Sequence, residues 1–161
     1  MSPASERTPN APDILLVEDN PYDAELTLLA LRKEGLADQL IWLKDGAETL
    51  ELLFGESGVA TLGTVNPKVI LLDLKLPKVD GQEVLRRIKG DPRTRTIPVV
   101  VLTSSREDSD VAGSYEAGAN SYIVKPVDVD KFFEAVKRLG LFWLAVNEPP
   151  ERRLPAAESR L

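Results

Sequence analysis

Five short apolar runs punctuate the chain, and none of them alternates with polar residues. They are Ile14-Leu15-Leu16-Val17, Leu40-Ile41-Trp42-Leu43, Val69-Ile70-Leu71-Leu72, Val99-Val100-Val101-Leu102 and Tyr122-Ile123-Val124. A strand apolar on both faces must be covered on both, which is the mark of a parallel sheet packed between helices. Between the runs, apolar residues recur at helical spacing. The first predicted helix spans about Tyr22 to Lys33, with Leu26, Leu29 and Ala30 inward and Gly35 as its stop. The second runs near Ala47 to Phe54, with Leu50, Leu53 and Phe54 inward. The third runs near Gln82 to Lys89, with Val84, Leu85 and Ile88 inward. The fourth, Glu107 to Ala117, holds Asp110, Gly113 and two serines, poor helix formers that point to a mobile element. The fifth, Asp128 to Val146, is long and apolar.

Strand and helix thus alternate five times. The pattern predicts an α/β, flavodoxin-like, doubly wound five-stranded parallel sheet of order 2-1-3-4-5 with five helices. Residues 1–11 are polar and contain proline, and read as a disordered lead-in. Residues 12–146 form the domain. Residues 147–161, rich in proline and charge, read as a tail, and 55–66 as a loop. The domain takes up the chain, leaving no room for a DNA-binding or enzymatic output module.

The residues that end the strands carry the chemistry. Glu18 and Asp19 follow the first run, Asp73 the third, Thr103 the fourth, and Lys125-Pro126 the fifth. Open α/β sheets bind ligands beyond the carboxyl ends of their strands, so these groups are expected to share one crevice. An aspartate after a strand is often only a cap or turn former. Three carboxylates together repel unless a cation sits among them, and a hard divalent metal is the natural partner. Asp73 is the candidate nucleophile for a phosphoryl group, with magnesium held by Asp19 and Asp73 and by Glu18 through water. Lys125 would neutralise another side, and Thr103 would donate to a phosphoryl oxygen. A cis Lys125–Pro126 bond would turn the lysine back over the site. Tyr122 is either plain packing or a ring that swings inward when Thr103 moves.

Composition narrows the choices. The 161 residues suit one domain, and 43% of them are apolar. Acidic residues outnumber basic ones 26 to 20, for a net charge of −6, which argues against nucleic acid as the main partner. With no cysteine and no histidine, thiolate chemistry, Ser-His catalysis and histidine-ligated metals are excluded. Any metal must be held by oxygen, favouring magnesium, with manganese as the substitute. No membrane span or signal peptide is evident, so a cytoplasmic protein is expected.

Taken together, the motifs resemble the receiver domain of two-component response regulators. The matching segments are Val17-Glu18-Asp19-Asn20, Leu72-Asp73-Leu74-Lys75-Leu76-Pro77 with Asp80-Gly81, Leu102-Thr103-Ser104-Ser105, and Gly118-Ala119-Asn120-Ser121-Tyr122-Ile123-Val124-Lys125-Pro126. By that resemblance Asp73 accepts phosphate from a partner histidine kinase, and Glu18 and Asp19 form the acid pocket. Thr103 and Tyr122 form the switch, Lys125 the phosphate clamp, and the main-chain carbonyl of Lys75 a further metal ligand. A finer resemblance, to single-domain regulators of bacterial phytochrome kinases, rests on Asp45-Gly46-Ala47-Glu48-Thr49-Leu50 and Leu139-Gly140-Leu141-Phe142-Trp143-Leu144.

Other readings compete. A chain of this kind can act as a phosphate shuttle or sink. An aspartate-nucleophile phosphatase wants a second acid two residues after the nucleophile, and here that residue is Lys75. No glycine-rich dinucleotide loop follows the first strand. Leu141 through Leu144 are apolar on every side, more than one packed face needs. That points to a homodimer through Phe142 and Trp143, unless the chain covers them itself.

Overall fold

The computed structural model describes residues 13–36, 38–55 and 67–150. The expected lead-in, most of the expected 55–66 loop and the tail past 150 lie outside the described residues. The elements run β1 (Ile14–Val17), α1 (Pro21–Lys33), β2 (Leu40–Leu43), α2 (Gly46–Phe54), β3 (Val69–Leu72), α3 (Gly81–Gly90), β4 (Val99–Thr103), α4 (Asp108–Ala117), β5 (Ser121–Val124) and α5 (Val129–Gly140). The five strands form one parallel sheet of order 2-1-3-4-5. The predicted architecture is the observed one.

Successive side chains of a strand point to opposite faces, so a strand apolar throughout feeds two cores. Leu15, Val17, Ile70, Leu72, Val99 and Val101 pack with Leu53 and with Val84, Leu85 and Ile88 of α3. Ile14, Leu16, Val69, Leu71, Val100 and Leu102 pack with α1 and α5 on the other face. The three central strands are wholly buried, whereas β2 and β5, each with one neighbour, are mostly half-buried.

Side-chain caps define the helix starts. Asn20 Oδ1 accepts from Tyr22 N and Asp23 N, and Asp45, Asp80 and Asp128 each accept from the backbone N–H three residues on. Of the five described α-helices α4 alone lacks such a cap. It is held instead from the side: Gln82 on α3 donates to Asp110 O (3.2 Å) and Ser114 Oγ (3.1 Å). Tertiary contacts thus supply what its sequence lacks.

Two helical expectations are corrected. Leu29 is not inward but 46% exposed. The buried stripe of α1 is Ala24, Thr27, Ala30 and Leu31, and Leu29, two residues before Leu31, lies on roughly the opposite side at about 100° per residue. The last helix is not one α-helix to Val146. It ends at Gly140, which packs tightly against Leu31 of α1, and the chain continues as a wider π-helical segment, Leu141–Val146. Trp143 and Leu144 pack on the α1–α5 core, while Phe142 (45%) and Val146 (68%) stay exposed. Among the described residues no helix is long and apolar enough to cross a membrane.

Gly81, the first residue of α3, has no room for a side chain. A Cβ there would overlap the Asp73 carbonyl oxygen and lie 2.5 Å from Leu74 Cα. Gly81→Ala is therefore expected to destabilise the fold by roughly 1–3 kcal/mol. Urea unfolding of the two proteins is the measurement, and equal midpoints would show that the β3–α3 loop yields freely.

Candidate functional site

Parallel register sets the site. Val17 pairs with Leu72, so Glu18 and Asp73 leave adjacent strands at the same level. Backbone bonds hold them there: Asp73 N donates to Val17 O (3.0 Å) and Glu18 N to Leu43 O (3.0 Å). The indole of Trp42 donates to Glu18 O at 2.7 Å. Glu18 and Asp73 are buried and Asp19 is exposed, and their carboxylate oxygens lie within 4.8 Å of one another.

Lys125 reaches this cluster from the end of β5. Its Nζ donates to Glu18 Oε1 (2.8 Å), Asp23 Oδ2 (2.8 Å) and Asp73 Oδ2 (3.0 Å). Among the described residues no peptide bond is cis, so the expected cis Lys125–Pro126 bond is corrected to trans. The lysine needs no such turn: Lys125 N already bonds Thr103 O at the strand end (2.7 Å), and the long stem carries the ammonium to the acids.

The electrostatics are unbalanced. Burial pushes the Glu18 carboxyl up to about 7 and the Asp73 charge adds to it, against the opposing bond and charge of Lys125. Burial also works against the Lys125 ammonium, but the bonds to Asp23 and Glu18 and the charge of Asp73 outweigh it and hold it above the ordinary lysine value. One ammonium thus serves three carboxylates, with Asp19 beside them. Three hard oxygen donors with a charge deficit fit a divalent cation such as magnesium or manganese.

The loop after Asp73 is braced from both sides. Asp73 Oδ1 accepts from Lys75 N (3.2 Å), and the Lys75 side chain is exposed to solvent. Lys78 adopts φ +72° and its ammonium lies 3.4 Å from Asp45, the cap of α2. A Cβ on Gly46 would overlap the Val79 carbonyl, so the start of α2 packs directly on this loop. The Asp45-Gly46 pair therefore has a structural task beside the site.

Thr103 is buried at the end of β4, and its hydroxyl accepts from Ser105 N (3.4 Å) without bonding Asp73. The Tyr122 hydroxyl donates to Ser105 O (3.0 Å), and its ring packs on the core that includes Leu85 and Val101. Burial raises the Tyr122 phenol above its ordinary value, and the Asp110 and Asp73 charges add to it, against the bond to Ser105. Ser105 Oγ in turn donates to Asp110 Oδ2 at 2.5 Å, tying the β4–α4 loop to α4.

Of the residues read from the sequence, Glu18, Asp19, Asp73 and Lys125 meet directly. Thr103 and Tyr122 lie beside them, joined through Ser105. Phe142 and Trp143 lie on the π-helical segment after α5, their rings 4.9 Å apart edge to face, outside this constellation. Asp23 was missed. The clue was its place three residues after Asn20, whose cap points the first turn of α1 toward the strand ends.

The response regulator receiver domain family matches residues 14–137. The chain is 43% identical over 138 residues to the probable methanogenesis regulatory protein FilR2 of Methanothrix harundinacea, covering 85% of this chain and 86% of that one. It is 40% identical over 131 residues to the response regulator Rcp1 of Synechocystis, covering 81% and 88%. The crystal structure of the Mn2+-bound form of Rcp1 matches with a TM-score of 0.78 at 39% identity, over 86% of this chain and 98% of that one. The phosphorylated cyanobacterial phytochrome response regulator RcpA matches with a TM-score of 0.80 at 38% identity, over 88% and 99%.

The raised Glu18 has a consequence for stability. Its folded value of about 7 lies above the ordinary 4.5, so the folded state holds the proton more tightly. That contribution is complete below about pH 4.5 and is lost as pH rises through about 7, an effect on the order of 3 kcal/mol. Urea unfolding of chelator-treated wild type and Glu18→Gln across this range reads it. The wild type is expected to lose stability relative to the variant as pH rises, and parallel profiles would refute the assignment.

Proposed function

This chain belongs to the response regulator receiver domain family, and on that premise we propose that it accepts a phosphoryl group on Asp73 from a histidine kinase and signals by protein contact. The observation that carries the reading is the Lys125 ammonium bonded at 3.0 Å to a buried Asp73 carboxylate, with Glu18 and Asp19 within 4.8 Å.

In this reading a carboxylate oxygen of Asp73 bonds to phosphorus as the bond to the kinase imidazole nitrogen breaks, the nitrogen keeping the electron pair. Little covalent work falls to the protein, so its task is to position the groups and neutralise charge. Lys125, already on Asp73, donates to a phosphoryl oxygen. The Thr103 hydroxyl turns from Ser105 N to donate to another. Tyr122 follows, because its hydroxyl is bonded to the same loop. Asp19, Asp73 and the Lys75 carbonyl, with Glu18, would hold magnesium or manganese, which when bound neutralises carboxylate and phosphoryl charge. The manganese in Rcp1 supports this metal choice, and the phosphorylated state of RcpA supports the acceptor role. We read the chain as a phosphoacceptor and not a turnover enzyme, since an exposed Lys75 stands where a phosphatase would need its second acid.

The likeness to RcpA supports a phytochrome-type kinase as donor. The net charge of −6 supports a protein partner in preference to nucleic acid. A homodimer through the segment after α5 is supported by the exposure of Phe142 and Val146. Trp143 contributes less, being half-covered by its own core.

Incubation with magnesium and a small phosphodonor is expected to add one phosphate to the wild type and none to Asp73→Asn or to chelator-treated protein, by intact mass. A bacteriophytochrome kinase should label the same residue faster than a kinase without a chromophore domain. Full labelling of Asp73→Asn would end the assignment. Magnesium at a hundredfold excess over its Kd should stabilise the wild type by about 2.7 kcal/mol.

The dimer is tested separately by sedimentation over a concentration series. Phe142→Ala is expected to weaken self-association by roughly tenfold or more, the scale of losing a buried aromatic contact. A wild type that stays monomeric throughout would end that proposal.

A further inference from the structure

An ammonium group has three protons to give, and Lys125 has given all three, to Glu18, Asp23 and Asp73. The phosphoacceptor reading asks it to take a fourth acceptor, an oxygen of the incoming phosphoryl group. One bond must therefore open, and burial decides which. The Glu18 side chain is 3% exposed. At that burial there is no water to take the lysine's place on its oxygen. In the loose transition state Asp73 still carries most of its charge, so its bond to the lysine is kept until the new bond has formed. The Asp23 side chain is 24% exposed. It lines a pocket of about 240 Å³ with Tyr22, Ser104, Lys125 and Pro126. It can turn to water at small cost.

Asp23 is also held in place. Its N–H is bonded to Asn20 Oδ1 (3.1 Å) and its carbonyl accepts from Thr27 Oγ1 (2.9 Å). It stands in the first turn of α1, where the helix dipole favours a carboxylate. The bond to Lys125 therefore joins two rigid elements, the start of α1 and the end of β5.

We propose that Asp23 is a positioning residue that holds Lys125 in the unphosphorylated protein and yields it to the phosphoryl oxygen. It thereby sets, through the lysine, the rate at which Asp73 is phosphorylated. The inference rests on the phosphoacceptor reading of Asp73. The covalent step is unchanged: with acetyl phosphate, the bond from phosphorus to the Asp73 oxygen forms, the bond to acetate breaks, and acetate leaves with the electron pair. Asp23 exchanges only a hydrogen bond.

The test is the rate of Asp73 labelling by acetyl phosphate at saturating magnesium, read by intact mass. Asp23→Asn keeps the shape and gives the ammonium a neutral amide acceptor in place of an anionic one, a weaker hold on the lysine. It is expected to accelerate labelling by about three- to tenfold, while Asp23→Glu restores the wild-type rate within about twofold. In a Lys125→Met background the same Asp23→Asn change is expected to give no acceleration, as a double-mutant cycle requires if Asp23 acts through the lysine. A merely structural role would alter the unfolding midpoint and leave the rate alone. Should Asp23→Asn fold poorly by circular dichroism, Asp23→Ser makes the same comparison. A rate within twofold of wild type, a slower rate, or an acceleration that survives in Lys125→Met overturns the inference. Unlabelled wild type would overturn the phosphoacceptor reading and this inference together. Labelled wild type with an unresponsive Asp23→Asn would overturn this one alone.

Discussion

A single ammonium group shared by three carboxylates holds the centre of this molecule together. Two of those carboxylates, on Glu18 and Asp73, are buried, and a buried charge persists only where it is paired and hydrogen-bonded. Removing one partner of such a pair typically costs about 3–5 kcal/mol. Lys125 is thus the common counter-charge for β1, α1 and β3, reached from β5 at the far edge of the sheet. The elements between must keep their register for the four groups to meet.

The rest of the fold serves that meeting. Backbone bonds from Asp73 to Val17 and from Glu18 to Leu43 lock the acids to adjacent strands. Gly81 lets α3 close onto the Asp73 carbonyl, and Gly46 lets α2 close onto the loop that follows. Both glycines are required by close approach and not by backbone conformation. On the other side, Thr103, Ser105, Tyr122 and Asp110 form a chain of hydrogen bonds from the strand end to α4. That chain ties the end of β4 to a helix with a poor intrinsic hold on its own structure.

Most of the architecture was legible because burial on both faces leaves a strong mark. Leu15, Leu71 and Val100 belong to unbroken apolar runs, and only a covered parallel strand explains such runs repeated with helices between them. The acid pocket was legible for a related reason: Glu18, Asp19 and Asp73 end those runs, so strand order alone brings them together. What failed was finer geometry. Leu29 is apolar, yet the buried stripe of α1 runs through Ala24, Thr27, Ala30 and Leu31 and leaves it exposed. No cis Lys125–Pro126 bond is needed to bring the lysine home, because the reach of its four-carbon stem suffices. Nothing local in the last helix announces that its winding widens after Gly140.

Asp23 marks the division most clearly. Along the chain it is an ordinary first-turn acid, stabilised by the helix dipole and needing no further account. Only the docking of α1 beside the end of β5 makes it a third partner of Lys125. The order of residues by itself determined the layers, the strand order and which acids lie at the sheet edge, since these follow from hydrophobic period and chain connectivity. The tertiary structure alone decided who shares the lysine and how far each carboxyl is desolvated. Those depend on distances of a few ångströms between residues more than a hundred positions apart, as Glu18 and Lys125 are, and no local pattern encodes such distances.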